Sequence, residues 1–147
     1  MRRSEFFIGG EDINTLTAGH AMESKVRFCH LDHRWRDITM AIVNHSFCSL
    51  PVVDSEKNLL GLITESDLLR GILKGSDEQT LKAKDLMHEN PITVNEDTPL
   101  KEVIKTLEDN NLVRVPVVKG KVLVGIISRR DLLIAHMKAS AEPPHWI

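Results

Sequence analysis

The stretch "GLITESDLL" at Gly61–Leu69 returns as "GIISRRDLL" at Gly125–Leu133, and this repetition decides the fold. In each copy an apolar, strand-like run ends at a hydroxyl residue, Thr64 or Ser128, and an aspartate follows three residues later. This spacing is typical of a capping box, in which the two side chains satisfy free backbone amides at the start of a helix. Two copies in equivalent places indicate a duplicated structure.

The duplication extends over most of the chain. Leu16–Ser24 overlies Leu81–Glu89, and Leu50–Asp54 overlies Val115–Lys119. Each copy has the hydrophobic pattern of a strand, an amphipathic helix, two adjoining strands and a second helix. In the first copy the predicted elements are a strand at 26–30, a helix at 34–43, strands at 50–53 and 59–63, and a helix at 64–73. In the second copy they are a strand at Pro91–Val94, a helix capped by Thr98 with Pro99 as its first residue, strands at 113–118 and 122–127, and a helix at 128–137.

The sequence therefore predicts an α/β fold of two tandem β-α-β-β-α repeats packed by pseudo-twofold symmetry. The predicted segments are an N-terminal arm (1–13), the first repeat (14–73), a polar linker (74–80), the second repeat (81–138) and a C-terminal tail (139–147). Trp146 in the tail is expected to dock on the module or on a dimer mate, because a large aromatic side chain gains most by burial.

The composition narrows the class of protein. The 147 residues are 41% hydrophobic and 27% charged, which is typical of a globular protein with a packed core. The formal net charge of −2 provides no field for holding a phosphate polymer, so nucleic acid is not an expected partner. Neither a signal sequence nor an apolar run long enough to span a membrane is evident, and Cys29 and Cys48 have the apolar neighbours of packed thiols. We expect a cytoplasmic location, no membrane association and no disulfide.

With its Pro-centred apolar strands and its two "G-h-h-[ST]-x-x-D-L" endings, the chain resembles a CBS domain pair from about Leu16 to Met137. The resemblance implies a regulatory module without catalytic activity. It also implies clefts between the repeats that accept adenosine compounds such as AMP, ADP, ATP or S-adenosylmethionine, and a homodimer in the form of a flat disc.

The resemblance also implies which residues bind the ligand. In this family the aspartate of the final motif accepts hydrogen bonds from the ribose hydroxyls, and the Ser or Thr lies near ribose or phosphate. The backbone before the central proline meets the adenine edge, and the start of the first strand forms the wall of the base pocket. The residues at these positions, with a neighbouring arginine, are Thr64, Asp67, Ser128, Arg129, Asp131, Ser49, Leu50, Arg114, Val115, Phe28, Ile92 and Thr93.

Physical chemistry agrees with this assignment, because a carboxylate can accept both hydrogen bonds of a vicinal diol and the free amides of a helix start favour an anion. Arg129 and Arg130 follow Ser128, whereas Glu65 and Ser66 follow Thr64, so an anionic ligand should prefer the second repeat. Phe47 and Leu112 stand where family members often carry a small residue, and their bulk is expected to narrow the pockets.

Three alternatives remain open at the level of the sequence. The two capping boxes can be purely structural, and exposed arginines are common without any ligand. The module can also be a scaffold whose clefts are empty or filled by side chains such as Phe47. Finally, "CHLDHRW" at Cys29–Trp35 has residue types that bind metals, which suggests a metal-dependent nucleotide hydrolase. Its place in the repeat favours structural roles: Cys29 in a strand, Asp32 or His33 as a helix cap, and Trp35 in the core.

The interpretation that we favour is a stand-alone homodimeric sensor of adenosine nucleotides that needs no cofactor. Ligand in a cleft would bind one packing of the repeats better and shift the population toward it. Its output would pass through an effector protein, which the sequence does not identify.

Overall fold

The computed structural model describes residues 12–45, 47–74 and 80–139. It confirms a mixed α/β fold with two sheets. The helices and strands are α1 (Ala18–Ala21), β1 (Cys29–His30), α2 (Trp35–His45), β2 (Ser49–Val53), β3 (Leu59–Thr64), α3 (Glu65–Leu73), α4 (Ala83–Leu86), β4 (His88–Glu89), β5 (Val94–Asn95), α5 (Leu100–Asp109), β6 (Arg114–Lys119), β7 (Val122–Ser128) and α6 (Arg129–Ala139). Within the described ranges, no helix is long and apolar enough to cross a membrane.

The chain divides into two compact units that do not simply follow the order of the repeats. Among the described residues, unit 1 comprises 12–26, 92–120 and 124–139, and unit 2 comprises those between 27 and 91 together with 121–123. The short helix α1 therefore belongs with the sheet of the second repeat. The short helix α4, which follows the linker, belongs with the sheet of the first repeat.

Unit 2 contains a four-stranded sheet in the order β1-β2-β3-β4. Strand β1 pairs with β2 in parallel, with Cys29 opposite Val52, and β3 pairs antiparallel to both β2 and β4. The turn between β2 and β3 is closed by Asp54, whose Oδ1 accepts hydrogen bonds from the backbone amides of Glu56 and Asn58. The side-chain amide of Asn58, together with the two backbone amides of that turn, lowers the pKa of Asp54.

Unit 1 contains a sheet in the order β5-β6-β7. Strand β5 pairs with β6 in parallel, with Val94 opposite Val117, as β1 does with β2 in unit 2. Gly120 allows the turn between β6 and β7, because its φ of +65° lies in the left-handed region. Glu23 bridges to Ile126 at the free edge of β7, where unit 2 has strand β4.

The predicted amphipathic helices are confirmed, and each buries one apolar face. In α2 the buried side chains are Trp35, Ile38 and Ile42. In α5 they are Leu100, Val103 and Leu107, with Ile104 packed against the same core. These positions recur every three or four residues, so one face of each helix covers its sheet.

Three local predictions were wrong. The predicted strand at Pro91–Val94 starts only at Val94, because pairing with β6 begins there, and the predicted strand at 26–30 is likewise reduced to Cys29–His30. Thr98 does not cap α5: its hydroxyl accepts from the amide of Asn95, and Pro99 occupies the N-cap position. The tail with Trp146, most of the N-terminal arm and most of the predicted linker, including Gly75, lie outside the described residues.

The short helices α1 and α4 occupy equivalent places. The amide of Ala18 donates to the carbonyl of Thr98 at 2.8 Å, and the amide of Ala83 donates to that of His33, also at 2.8 Å. Each short helix is thereby fixed to the start of the long helix in its own unit. Methionines follow both short helices and pack on a glycine of the adjacent strand, Met22 on Gly125 and Met87 on Gly61.

Candidate functional site

In both units the hydroxyl residue of the final motif lies at the same end of the sheet as the first residue of the preceding strand. In unit 2 the register places Ser49 opposite Thr64, so the first residue of β2 meets the last residue of β3. Phe28 directly precedes β1, but the register of Cys29 with Val52 places it beside Pro51 in the middle of β2 and not beside Ser49. The helix that carries Asp67 begins immediately after Thr64.

The same construction recurs in unit 1. Arg114 is the first residue of β6, Ser128 is the last residue of β7, and α6 with Asp131 begins immediately afterwards. Ile92 and Thr93 precede β5 at the same end; both are exposed, and neither lies in a strand. Among the described residues, the Nε atom of Arg114 is buried without a hydrogen-bond partner.

The two aspartates are the buried polar residues of this region, each with 4% of its surface exposed. Oδ2 of Asp67 accepts hydrogen bonds from the amide and the hydroxyl of Thr64, at 2.8 and 2.9 Å. Oδ2 of Asp131 accepts the equivalent bonds from Ser128, both at 2.9 Å. The backbone amides of the aspartates donate back to the hydroxyls, at 3.4 and 3.2 Å. Both capping boxes are therefore formed, and their carboxylates lie at the sheet edge.

The surroundings of the two carboxylates differ. Oδ1 of Asp67 accepts a hydrogen bond from Nη2 of Arg70, and Nε2 of His88 lies 2.7 Å from the same atom. The guanidinium and the imidazole are themselves within hydrogen-bond distance, at 3.4 Å. The sequence analysis missed both residues as parts of the site. The spacing of Arg70 three residues after Asp67 on one helix face was the available signal.

Arg129 is held by the connection between α5 and β6. Its Nε donates to the carbonyl of Leu112 at 2.7 Å, and its Nη1 lies 3.6 Å from Oε1 of Glu108. The same side chain lines a largely apolar cavity of about 490 Å³ together with residues of α5 and α6, among them Leu107 and Leu132. These contacts place the guanidinium on the helical side of unit 1.

Phe47 and Leu112, the two bulky departures, are partly buried and pack against the cores of their units. The ring of Phe47 stacks on that of His45 with 5.6 Å between centroids. Phe28 packs edge-on against His30, and Nζ of Lys57 lies 5.2 Å from its ring centre. Leu50 and Val115 are buried in the sheets.

The "CHLDH" segment has structural contacts, and Trp35 lies in the core as predicted, but the predicted helix cap at Asp32 or His33 is wrong because α2 begins only at Trp35. Cys29 lies in β1, and burial raises the pKa of its thiol to about 12, which disfavours the thiolate that binds metals. Nδ1 of His33 accepts from the amide of His30 at 2.8 Å, as Thr98 does from Asn95 in unit 1. Nowhere in the described ranges do three or more His, Cys, Asp or Glu side chains form a group placed to hold a metal ion. Both cysteines are free thiols.

Comparison with protein families identifies the architecture. The model of the CBS domain matches residues 18–74 and again residues 83–138. The chain belongs to the CBS domain family. It carries two CBS domains in tandem.

Relatives and solved structures agree with this membership. The uncharacterized protein YlbB of Bacillus subtilis is 32% identical over 117 residues, which are 78% of each chain. The CBS-pair protein CBSX2 of Arabidopsis thaliana, solved in complex with AMP, has a TM-score of 0.73 at 24% identity and matches 83% of this chain and 96% of its own. The CBS domain pair of protein MJ0100, solved with 5′-methylthioadenosine and S-adenosyl-L-methionine, has a TM-score of 0.69 at 23% identity and matches 81% of this chain and 94% of its own. At these identities the structures establish the fold. Three other curated relatives are matched over 17 to 59% of their own length.

Proposed function

We propose that the chain is a non-catalytic regulatory module of the cytoplasm that binds an adenosine nucleotide, namely AMP, ADP, ATP or S-adenosylmethionine. The observation that carries the proposal is the pair of buried aspartates, Asp67 and Asp131, each at the sheet edge of its unit. Aspartate is rarely buried unless it is paired. A buried carboxylate at the end of a sheet can accept hydrogen bonds from the hydroxyls of a bound sugar.

The family supports the choice of ligand. CBSX2 was solved with AMP, and the domain pair of MJ0100 with S-adenosylmethionine and a related nucleoside. These ligands share an adenosine group, whose ribose offers a vicinal diol to a carboxylate. Thr64, Ser128 and the strand-end residues Ser49, Leu50, Arg114 and Val115 would complete the contacts to ribose, phosphate and base, with Phe28, Ile92 and Thr93 beside the adenine.

Titration calorimetry against the four nucleotides tests this function. We expect saturable binding by the wild-type protein, and loss of most of it in a double variant with Asp67→Asn and Asp131→Asn. The matched control is Asp109→Asn, which removes an exposed carboxylate at the end of α5. Thermal unfolding of each variant shows whether the fold survives.

If none of the four nucleotides binds at sub-millimolar concentration, the proposal is wrong, and the module is a scaffold. Turnover of ATP with added divalent metal would contradict its non-catalytic part.

A homodimer is the assembly that we propose. Helices α2 and α3 of unit 2 expose apolar side chains to solvent, and Leu73 is 86% exposed. In unit 1 the helix α6 exposes Leu133 and Met137. Helix faces with several exposed apolar residues mark interaction sites, and a second copy of the chain provides a matching surface.

Light scattering after gel filtration tests this assembly. Leu73→Asp should shift the protein to monomer, because it places a charge on the apolar helix face. Ser55→Asp introduces the same charge in the exposed turn between β2 and β3 and should leave the dimer intact. A wild-type monomer would exclude the homodimer.

The signal from ligand binding would pass to an effector protein by a shift of the population between two packings of the repeats. Hydrogen exchange measured with and without nucleotide would detect this shift.

A further inference from the structure

We infer that the site at Asp67 selects adenosine phosphates, because the phosphate of the ligand draws Arg70 and His88 away from the carboxylate and frees it for the ribose. This inference rests on the proposed function and names the ligand class of one of its sites. AMP, ADP and ATP should bind there, whereas adenosine and S-adenosylmethionine should bind poorly.

The carboxylate of Asp67 already has a polar partner at each of its lone-pair positions. An ionised carboxylate offers about four such positions. The amide and hydroxyl of Thr64 occupy Oδ2, and Arg70 and His88 contact Oδ1. A ribose diol can therefore reach this carboxylate only if at least one of the two bases moves away from Oδ1.

Moving a base away from Asp67 is unfavourable when nothing replaces its charge. The side chain of Asp67 is only 3% exposed, whereas those of Arg70 and His88 are 54% and 61% exposed. The bases can turn into solvent, but the carboxylate stays buried. A buried charge that loses its ionic partner is strongly destabilised, and neutral hydroxyls make weaker hydrogen bonds than a guanidinium does. Uncharged adenosine should therefore displace the bases poorly.

A phosphate changes this balance because it supplies an anion to the same two bases. At pH 7 a phosphate monoester carries about −1.5 to −2 charges and three acceptor oxygens. A guanidinium binds phosphate with the same planar fork that binds a carboxylate. Arg70 and His88 converge from α3 and β4, with Nη2 of the arginine 3.4 Å from Nε2 of the histidine, so one phosphate can contact both. The bases then remain beside Asp67, and the ribose hydroxyls take the positions released on Oδ1.

S-adenosylmethionine carries the same ribose but no phosphate. Its sulfonium and ammonium groups outnumber its single carboxylate, so its net charge is positive. The positive charge of Arg70 opposes the approach of a cation. The site at Asp67 should therefore discriminate between two ligands that both offer an adenosine group.

Titration calorimetry tests this exchange in an Asp131→Asn background, so that the heat reports on the site at Asp67. The affinity for AMP should exceed that for adenosine or S-adenosylmethionine by about tenfold or more. Arg70→Met keeps a long side chain but not its charge; it should weaken AMP binding and strengthen adenosine binding, each by about fivefold. Arg70→Lys should restore the preference for AMP. The matched control Lys74→Met removes an exposed positive charge at the C-cap of the same helix and should change neither affinity.

The opposite signs of the two changes distinguish this exchange from simpler roles of Arg70. If Arg70→Met weakened AMP binding and left adenosine unchanged, the arginine would only bind phosphate. If it strengthened the binding of both ligands, the arginine would only block the site. Either result, or equal affinities for AMP and adenosine before Arg70 is changed, would overturn the inference and leave the proposed function intact.

Thermal unfolding shows whether the Asp131→Asn background folds. If it does not, the NMR signal of the His88 imidazole reports on the same site in the otherwise unchanged protein, and His88→Gln identifies that signal. AMP should shift it, and adenosine at the same concentration should not; a shift with both ligands or with neither would contradict the inference. Failure of every nucleotide to bind the wild type and Arg70→Met would end both this inference and the proposed function.

Discussion

The indole Nε1 of Trp35 donates a hydrogen bond of 3.0 Å to the carbonyl oxygen of Leu68, and the bond is buried. It joins α2 to α3, the two long helices of unit 2. Gly71 makes room for the indole one turn later, since a β-carbon there would lie 3.2 Å from both Cδ1 and Nε1 of Trp35. Helix α3 also carries Asp67, so this contact fixes the position of the candidate site.

Replacing Trp35 should therefore destabilise unit 2, and the loss should be larger for alanine than for phenylalanine. Trp35→Phe keeps an aromatic ring but loses the hydrogen bond, and we expect it to lower the free energy of unfolding by about 1 to 2 kcal/mol. Trp35→Ala also leaves a cavity and should cost about 3 to 5 kcal/mol. Urea unfolding followed by circular dichroism measures both changes. Equal stability of Trp35→Phe and the wild type would show that the bond contributes nothing.

Gly61 provides a second test of packing near the site. A β-carbon at this position would lie 2.7 Å from the carbonyl oxygen of His88 and 2.7 Å from Sδ of Met87. Gly61→Ala must displace β4 and should cost about 1 to 3 kcal/mol, since overpacking strains a close-packed interior. The matched control is Gly120→Asn, because a β-carbon there has no atom within 4 Å and asparagine tolerates a left-handed backbone. Equal unfolding temperatures for the two variants would contradict the predicted clash.

The capping boxes predict a difference between two similar substitutions. Thr64→Ala removes the hydroxyl that bonds to both the amide and the carboxylate of Asp67, and it should cost about 1 kcal/mol. Thr64→Ser keeps the hydroxyl that Ser128 provides in the other unit, so its stability should stay close to wild type. Ser66→Ala in the exposed first turn of α3 controls for helix propensity. Chemical unfolding of the three variants ranks them, and a Thr64→Ser as unstable as Thr64→Ala would mean that the methyl group matters instead.

Much of the architecture could be predicted because its signals are local. The stripe of Trp35, Ile38 and Ile42, the Thr64 and Asp67 pair, and the apolar strands around Pro51 each lie within a few residues. Because each pattern occurs twice in equivalent places, the second copy supports the interpretation of the first. The two-residue strands β1 and β5 are too short for a period-two pattern, so their extents were overestimated.

The assignment of segments to the two compact units, and the contact of His88 with Asp67, depend on distant parts of the sequence. The sequence around Ala18 does not indicate that α1 packs with the sheet of the second repeat, because a helix of four residues is too short to show a hydrophobic period. His88 reaches Asp67 only because β4 pairs with β3, with His88 opposite Leu62. Its alignment with Glu23 could have shown that the two sites differ, but not that the imidazole contacts a carboxylate.

Cys29 predicts a pH dependence of stability. Burial raises the pKa of its thiol from 9.0 to about 12 in the folded protein. Below about pH 9 both states hold the proton and the thiol has no effect. Between these values the unfolded chain releases a proton that the folded chain keeps, so the free energy of unfolding falls as pH rises, by up to about 1.4 kcal/mol per pH unit.

The variant Cys29→Ala lacks this proton and isolates the effect. Its stability relative to wild type should improve by about 1 to 2 kcal/mol between pH 7.5 and pH 10.5, whatever its constant loss from the smaller side chain. Urea unfolding at several pH values measures the difference, and Cys48→Ala controls for removing a thiol. Parallel pH profiles of Cys29→Ala and the wild type would mean that the thiol ionises equally in both states, and that β1 does not bury it.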